Sequence, residues 1–237
     1  MVWLIVATVC AFFVKGLCGF ANTLVFTSIL SFGMNNVNIS PVELMLGYPS
    51  NVIMVWRERR SVKWRLCLPL AAVMIGGCIP GVLLLKNADV SMVKIFFGVL
   101  IIVLGVLMLR PDQGEKREQS KFATMMIGVL SGVLCGIYGV GALAGIYLTR
   151  VTKDSHEFKA NISVVFFLED TFRILIYVVT GIITVSSFVK ALSLFPVMFI
   201  GLGLGIACSD KLDEKAAKKT VVIMLIISGF ALIISSL

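Results

Sequence analysis

Three ionisable side chains sit in the middle of one apolar run, VVFFLEDTFRILIYVV: Glu169, Asp170 and Arg173. Spacings of three and four residues put Asp170 with Arg173, or Glu169 with Arg173, on one helical face. One carboxylate can then neutralise the guanidinium while the other faces a cavity, takes up a proton and couples solute movement to a proton or cation gradient. The alternative is a purely structural ion pair between helices. Lys15 is the second misplaced charge, inside the first apolar run and directly before the glycines of KGLCGFAN. Beside backbone amides freed at Gly16 and Gly19, and with Asn22 and Thr23 as neutral donors, its ammonium suits an anion in a water-lined pocket. The alternative is a lysine at the tip of a turn, snorkelling to water. Ser50 and Asn51, after Pro49 in LGYPSNVIMVW, offer further neutral donors or serve helix packing. Tyr138 lies in a second glycine-rich stretch, CGIYGVGA, where it closes a site from the opposite side or packs as an ordinary aromatic.

These residues need a frame that is not water-soluble. Of 237 residues, 59% are apolar and only 14% charged, with mean hydropathy +1.02; soluble domains carry about a quarter charged residues. Eight apolar blocks follow one another: Val2 to Met34, Val42 to Trp56, Leu66 to Leu85, Val90 to Leu109, Phe122 to Leu148, Ala160 to Thr180, Phe188 to Cys208 and Thr220 to Ser236. Most are long enough for a membrane helix, about 20 residues. The formal charge of +8 resides mainly in short loops, so it reports topology rather than a nucleic-acid partner. No charged segment precedes the first block, which is expected to stay in the mature protein.

The polar stretch Arg110 to Lys121 leaves four blocks on either side, giving a first membrane repeat at 1–109, a charged linker at 110–121 and a second repeat at 122–237. At an offset of 120, Gly16, Gly19, Phe20 and Ala21 fall on Gly136, Gly139, Val140 and Gly141. Later the offset becomes 124, with Gly77 and Gly81 on Gly201 and Gly205, Lys94 on Lys218, and Gly105 on Gly229. Clustered glycines break the first block of each half, and such breaks persist in membranes only where freed amides and carbonyls find partners.

Loop charge decides the threading. If every block crosses once, Lys and Arg divide nine to nine between the two sides, which is no bias at all. If the broken block of each half returns to its own side, as a re-entrant hairpin or two short spans, sixteen basic residues collect on the cytoplasmic side. Lys86, Lys94 and Lys190 remain outside with both termini. Three clean crossings per half then make the repeats inverted, the arrangement of many alternating-access transporters. The expected fold is therefore an all-α polytopic membrane protein of two inverted repeats, each a glycine-broken segment followed by three transmembrane helices.

Enzymatic chemistry finds no footing. There is no H-E-x-x-H pair, no serine with a histidine at bilayer depth, and no G-x-x-x-x-G-K-[ST] loop for ATP. The lone His156 is expected in the loop TRVTKDSHEFK, and the six cysteines show no CxxC spacing that would suggest a disulfide framework or a metal. No cofactor is expected.

The duplicated glycine break, the basic stretch WRERRSVKW after the second block, Gly77 with Gly81, and the pattern GVLSGVLCGIYGVGA resemble the TauE/SafE family of bacterial sulfite exporters over nearly the whole chain. The resemblance implies a multi-pass inner-membrane protein that moves small sulfur oxyanions, organosulfonates or carboxylates. Ala21, Asn22, Thr23 and Ala142 depart from the family's usual glycine or proline after the break, which leaves the anion open. Cys18 and Cys135 lie inside the breaks, where a thiol would meet a sulfur anion or simply pack. The expected function is a secondary transporter or facilitator, exporting its anion; an anion channel and a non-transporting assembly subunit are the alternatives. Lys15, Gly16, Gly19, Asn22, Thr23, Ser50, Asn51, Cys135, Gly136, Tyr138, Gly139 and Gly141 are the candidate substrate-binding residues, and Glu169, Asp170 and Arg173 the coupling group.

Overall fold

The computed structural model describes residues 2–30, 36–87, 99, 102–103 and 121–209. Most of the fourth block, all of the linker except Lys121, and the whole last block lie outside the described residues. Among those described there is no strand. Among the described residues, eight α-helices with defined bounds run in order as α1 (Val2–Cys18), α2 (Asn22–Leu30), α3 (Asn36–Glu58), α4 (Trp64–Asn87), α5 (Lys121–Tyr138), α6 (Ala142–Val151), α7 (Ser155–Val179) and α8 (Val185–Ser209), with a 3-10 turn at Arg59–Ser61.

Among the described residues, two segments, Trp64–Leu85 of α4 and Val185–Ser209 of α8, are long and apolar enough to cross a bilayer, with hydropathies of 2.2 and 2.1. Helices α3 and α7 have 23 and 25 residues but carry charges in their interiors. Large apolar side chains cover the outside, among them Trp3, Trp56, Trp64, Phe122, Val179 and Phe188. An exterior of this kind is suited to lipid.

Both broken blocks become helical hairpins. In each, the longer helix ends on a glycine in the left-handed region, Gly19 at φ +83° and Gly139 at φ +72°. The Gly19 amide donates to the Lys15 carbonyl at 2.7 Å and the Gly139 amide to the Cys135 carbonyl, also at 2.7 Å. This left-handed helix ending admits a side chain only with strain. The following short helices open with the same pairing, Val25 N–H to the Ala21 carbonyl at 3.2 Å and Gly145 N–H to the Gly141 carbonyl at 3.1 Å. The halves differ at one position: Ala21 holds φ +72°, whereas Gly141, at φ −99°, is small because the Phe166 ring abuts it. Helices of nine and ten residues reach only about 15 Å, half the hydrocarbon thickness. In the second half α6 folds back along α5, with the Tyr147 hydroxyl 2.7 Å from Thr124 Oγ1 and the Ala144 amide donating to Ser131 Oγ at 2.9 Å.

Packing crosses between the halves: α1 lies chiefly on α8, and α5 on α4. Gly77 and Gly81 of α4 abut the Val129 and Val133 carbonyls of α5, leaving no room for a side chain; Gly201 and Gly205 of α8 abut the Val9 and Phe13 carbonyls of α1. Offsets of 124 and 120 carry the first set of contacts onto the second. Small residues that let backbones approach are the usual adhesive where lipid removes the hydrophobic drive.

One end of the molecule gathers basic segments. Lys63 Nζ lies 2.7 Å from Glu157 Oε1, His156 Nδ1 lies 2.9 Å from Glu58 Oε2, and Lys159 Nζ donates to Ser209 Oγ at 2.7 Å. These contacts hold the 57–65 loop beside the 150–159 segment. His156 is not a loop residue: Asp154 accepts from the Glu157 amide at 2.8 Å and caps α7, so the helix starts at Ser155, before the apolar run begins. All six cysteines are free thiols.

Candidate functional site

The two hairpin tips enclose a small cavity, about 20 Å³, enough for a water-sized group. Lys15 reaches it from the last turn of α1, Asn22 and Thr23 from the start of α2, and Cys135, Gly139 and Gly141 from the second break. Helix α3 contributes Glu43 and Asn51, and α7 contributes Phe166, Asp170 and Arg173. The α3 contribution follows from helical spacing: residues 43, 47 and 51 share one face, and Gly47 between them leaves space. A side chain there would begin 3.3 Å from Glu43 Oε1 and 3.6 Å from Asn22 Nδ2.

Arg173, 2% exposed, organises the ionic network. Its Nη2 donates to Asp170 Oδ1 at 2.7 Å, its Nη1 donates to the Cys135 carbonyl at 2.9 Å, and its Nε stands 3.8 Å from Glu169 Oε1. Asp170 has a donor on each oxygen, because its Oδ2 accepts from Asn51 Nδ2 at 2.7 Å. Glu169 accepts from the Cys135 thiol at 3.1 Å. Glu43 Oε1 accepts from Asn22 Nδ2 at 2.6 Å and from Thr23 Oγ1 at 2.7 Å, while its Oε2 lies 3.8 Å from Arg173 Nη2 and accepts no hydrogen bond. Lys15, 1% exposed, makes no hydrogen bond or close ion pair among the described residues; Asp170 and Glu43 are its electrostatic partners.

Of the twelve candidate binding residues, Lys15, Asn22, Thr23, Asn51, Cys135, Gly139 and Gly141 line the cavity. The other five lie outside its lining. Gly16 packs on Gly205, and Gly136 on Gly81 and Cys78. Gly19 faces the Lys159 side chain, and Ser50 turns back to donate to the Gly47 carbonyl at 2.6 Å. Tyr138 is the buried last residue of α5. Glu43 is the residue that sequence reasoning missed. Its available signal was a carboxylate at the start of the second apolar block, and it falls two turns inside α3 because that helix begins at Asn36.

A buried cluster of two cations and three carboxylates on an otherwise apolar body is costly in lipid and is kept where solutes or ions pass. Broken helices presenting their ends to one interior point are a transporter's way of building a site. The class defined is thus a helical membrane transporter. The chain matches the family described as Sulfite exporter TauE/SafE over residues 4–232, and it belongs to that family. Nothing among curated proteins or solved structures matches it.

Proposed function

We propose that this protein is a secondary transporter or facilitator that exports a small anion, a sulfur oxyanion, organosulfonate or small carboxylate, across the bacterial inner membrane. The observation that carries this reading is the meeting of both glycine breaks on one buried cavity that Lys15 and Arg173 line. In this reading the halves are inverted copies related by a pseudo-two-fold axis, for which the exchanged glycine contacts speak. The basic end faces the cytoplasm. Alternating access then rocks one hairpin and its packed partner against the other around a fixed site. Inside-negative voltage favours outward movement of net negative charge by about 2.3 kcal/mol per charge per 100 mV, and the anion's own outward concentration gradient drives whatever part crosses electroneutrally, so export needs no ATP.

Thermal-shift titration of purified protein with sulfite, sulfate, thiosulfate, methanesulfonate and small carboxylates, followed by flux in proteoliposomes, tests the reading. At least one of these anions should raise the melting temperature and show saturable flux. Lys15→Gln should weaken that anion's binding about tenfold or more, the loss of one charge-assisted contact of roughly 1.5–3 kcal/mol. Wild-type affinity in Lys15→Gln would place the anion elsewhere.

A further inference from the structure

The anion site proposed above has a charge problem. With every group ionised, Lys15 and Arg173 face Glu43, Glu169 and Asp170, a net charge of −1 before any substrate arrives. An incoming anion deepens the excess in a buried volume where repulsion is poorly screened. A proton on one carboxylate removes the difficulty, and the geometry distinguishes the three. Asp170 has a donor on each carboxylate oxygen, Arg173 on one and Asn51 on the other, so a proton there would weaken the closest ion pair of the network. Glu169 has an oxygen without a hydrogen bond, but it is fully buried and does not line the cavity. Glu43 lines the cavity, and only its Oε1 carries donors. Its Oε2 has no hydrogen-bond partner, with Arg173 at 3.8 Å and the side-chain-free Gly139 backbone close beside it.

Resting on the anion reading, we infer that Glu43 is the proton-binding site of this transporter: Oε2 takes a proton from the water-filled side when the anion binds and returns it when the anion leaves. The groups facing Glu43 are Lys15 from α1, the neutral donors Asn22 and Thr23 from α2, and Arg173, Glu169 and Asp170 from α7. From the second break the Gly139 backbone approaches it. Its two oxygens therefore join the hairpins: Oε1 holds the first two residues of α2, and Oε2 borders Gly139 of the second break. Neutralising the carboxylate weakens the charge-assisted bonds to Asn22 and Thr23, so the same proton that admits the anion loosens the first hairpin's tip.

Infrared difference spectra of the purified full chain across a pH series read the proton directly. A protonated-carboxyl C=O band should titrate in wild type, vanish in Glu43→Gln and persist in Glu58→Gln, whose carboxylate lies outside the cavity. Glu43→Asp, which keeps a carboxyl, should shift that band rather than abolish it. Sulfate and methanesulfonate, whose own charges stay constant over the range, are then titrated by thermal shift. Wild-type affinity for whichever of them binds should fall about tenfold per pH unit above the titration point, as one linked proton requires, and Glu43→Gln should flatten that dependence. A band that survives Glu43→Gln, or stays unmoved in Glu43→Asp, overturns the inference. A band assigned to Glu43 with no stabilisation by either anion at any pH leaves the proton site standing and counts against the anion reading instead.

Discussion

Replacing Arg173 with methionine should do more damage than removing either carboxylate it pairs with. The guanidinium is buried beside Asp170 at 2.7 Å, with Glu169 and Glu43 at 3.8 Å, and it also satisfies the Cys135 carbonyl at the foot of the second break. Without it, three carboxylates share a buried interior with Lys15 as the one countercharge that lines the cavity among the described residues. Breaking a buried pair by deleting one partner costs about 3–5 kcal/mol, because the charge left behind stays uncompensated. A loss of that size is comparable with a large share of a protein's net stability. Arg173→Met should therefore yield little monodisperse protein after detergent extraction, and whatever remains should show no anion-induced thermal shift. Arg173→Met with Asp170→Asn, which removes both members of the closest pair, should recover much of the folded yield without recovering transport. If Arg173→Met alone extracts, melts and transports as wild type does, the ionic network does not organise the site. If the double variant is worse than the single one, the cost does not come from an orphaned charge.

The sequence exposed Arg173, Lys15 and the glycine breaks for one reason: each is an anomaly inside an apolar run, and anomalies of charge or backbone freedom are visible without knowing the packing. Glu43 escaped because it stands at the edge of its run. The polar NNVNIS and Pro41 that precede it look like a loop, yet the helix starts at Asn36 and carries the carboxylate to the cavity. Ser50 and Asn51 looked equivalent as neighbours, but consecutive helical positions point about 100° apart. Only Asn51 shares the stripe of Glu43 and Gly47; Ser50 returns to its own helix backbone. Gly16 and Gly136 were legible as glycines but not by purpose, since whether a glycine serves a turn or a close approach depends on a partner helix distant in the chain. That partner is α8 for Gly16 and α4 for Gly136.

Gly139→Val should abolish transport while leaving an inserted protein, and its contrast with Gly19 is the sharper test. Both glycines sit in the left-handed region, at φ +72° and +83°, where any L side chain pays about 1–2 kcal/mol. Backbone strain is thus nearly equal, and what differs is the neighbour. At Gly19 the first atom of a side chain meets the aliphatic part of Lys159 at 2.7 Å, a flexible chain at the edge of the site. At Gly139 it meets Arg173 Nη1 at 2.7 Å, Thr23 Cγ2 at 2.8 Å and Glu43 Oε2 at 3.1 Å. These three groups belong to the ionic network and to the opposite hairpin, and none can retreat without breaking a bond that another depends on. Even Gly139→Ala should cut anion affinity about tenfold or more, since a perturbation of 1.4 kcal/mol suffices. Gly19→Ala should retain most of the binding and lose chiefly melting temperature. Thermal shift and proteoliposome flux on the two alanine variants, with Gly139→Val as the extreme, decide the matter. Equal loss of binding at both positions would mean that backbone strain alone sets the effect, and wild-type flux in Gly139→Val would mean that the two hairpin tips do not form the site.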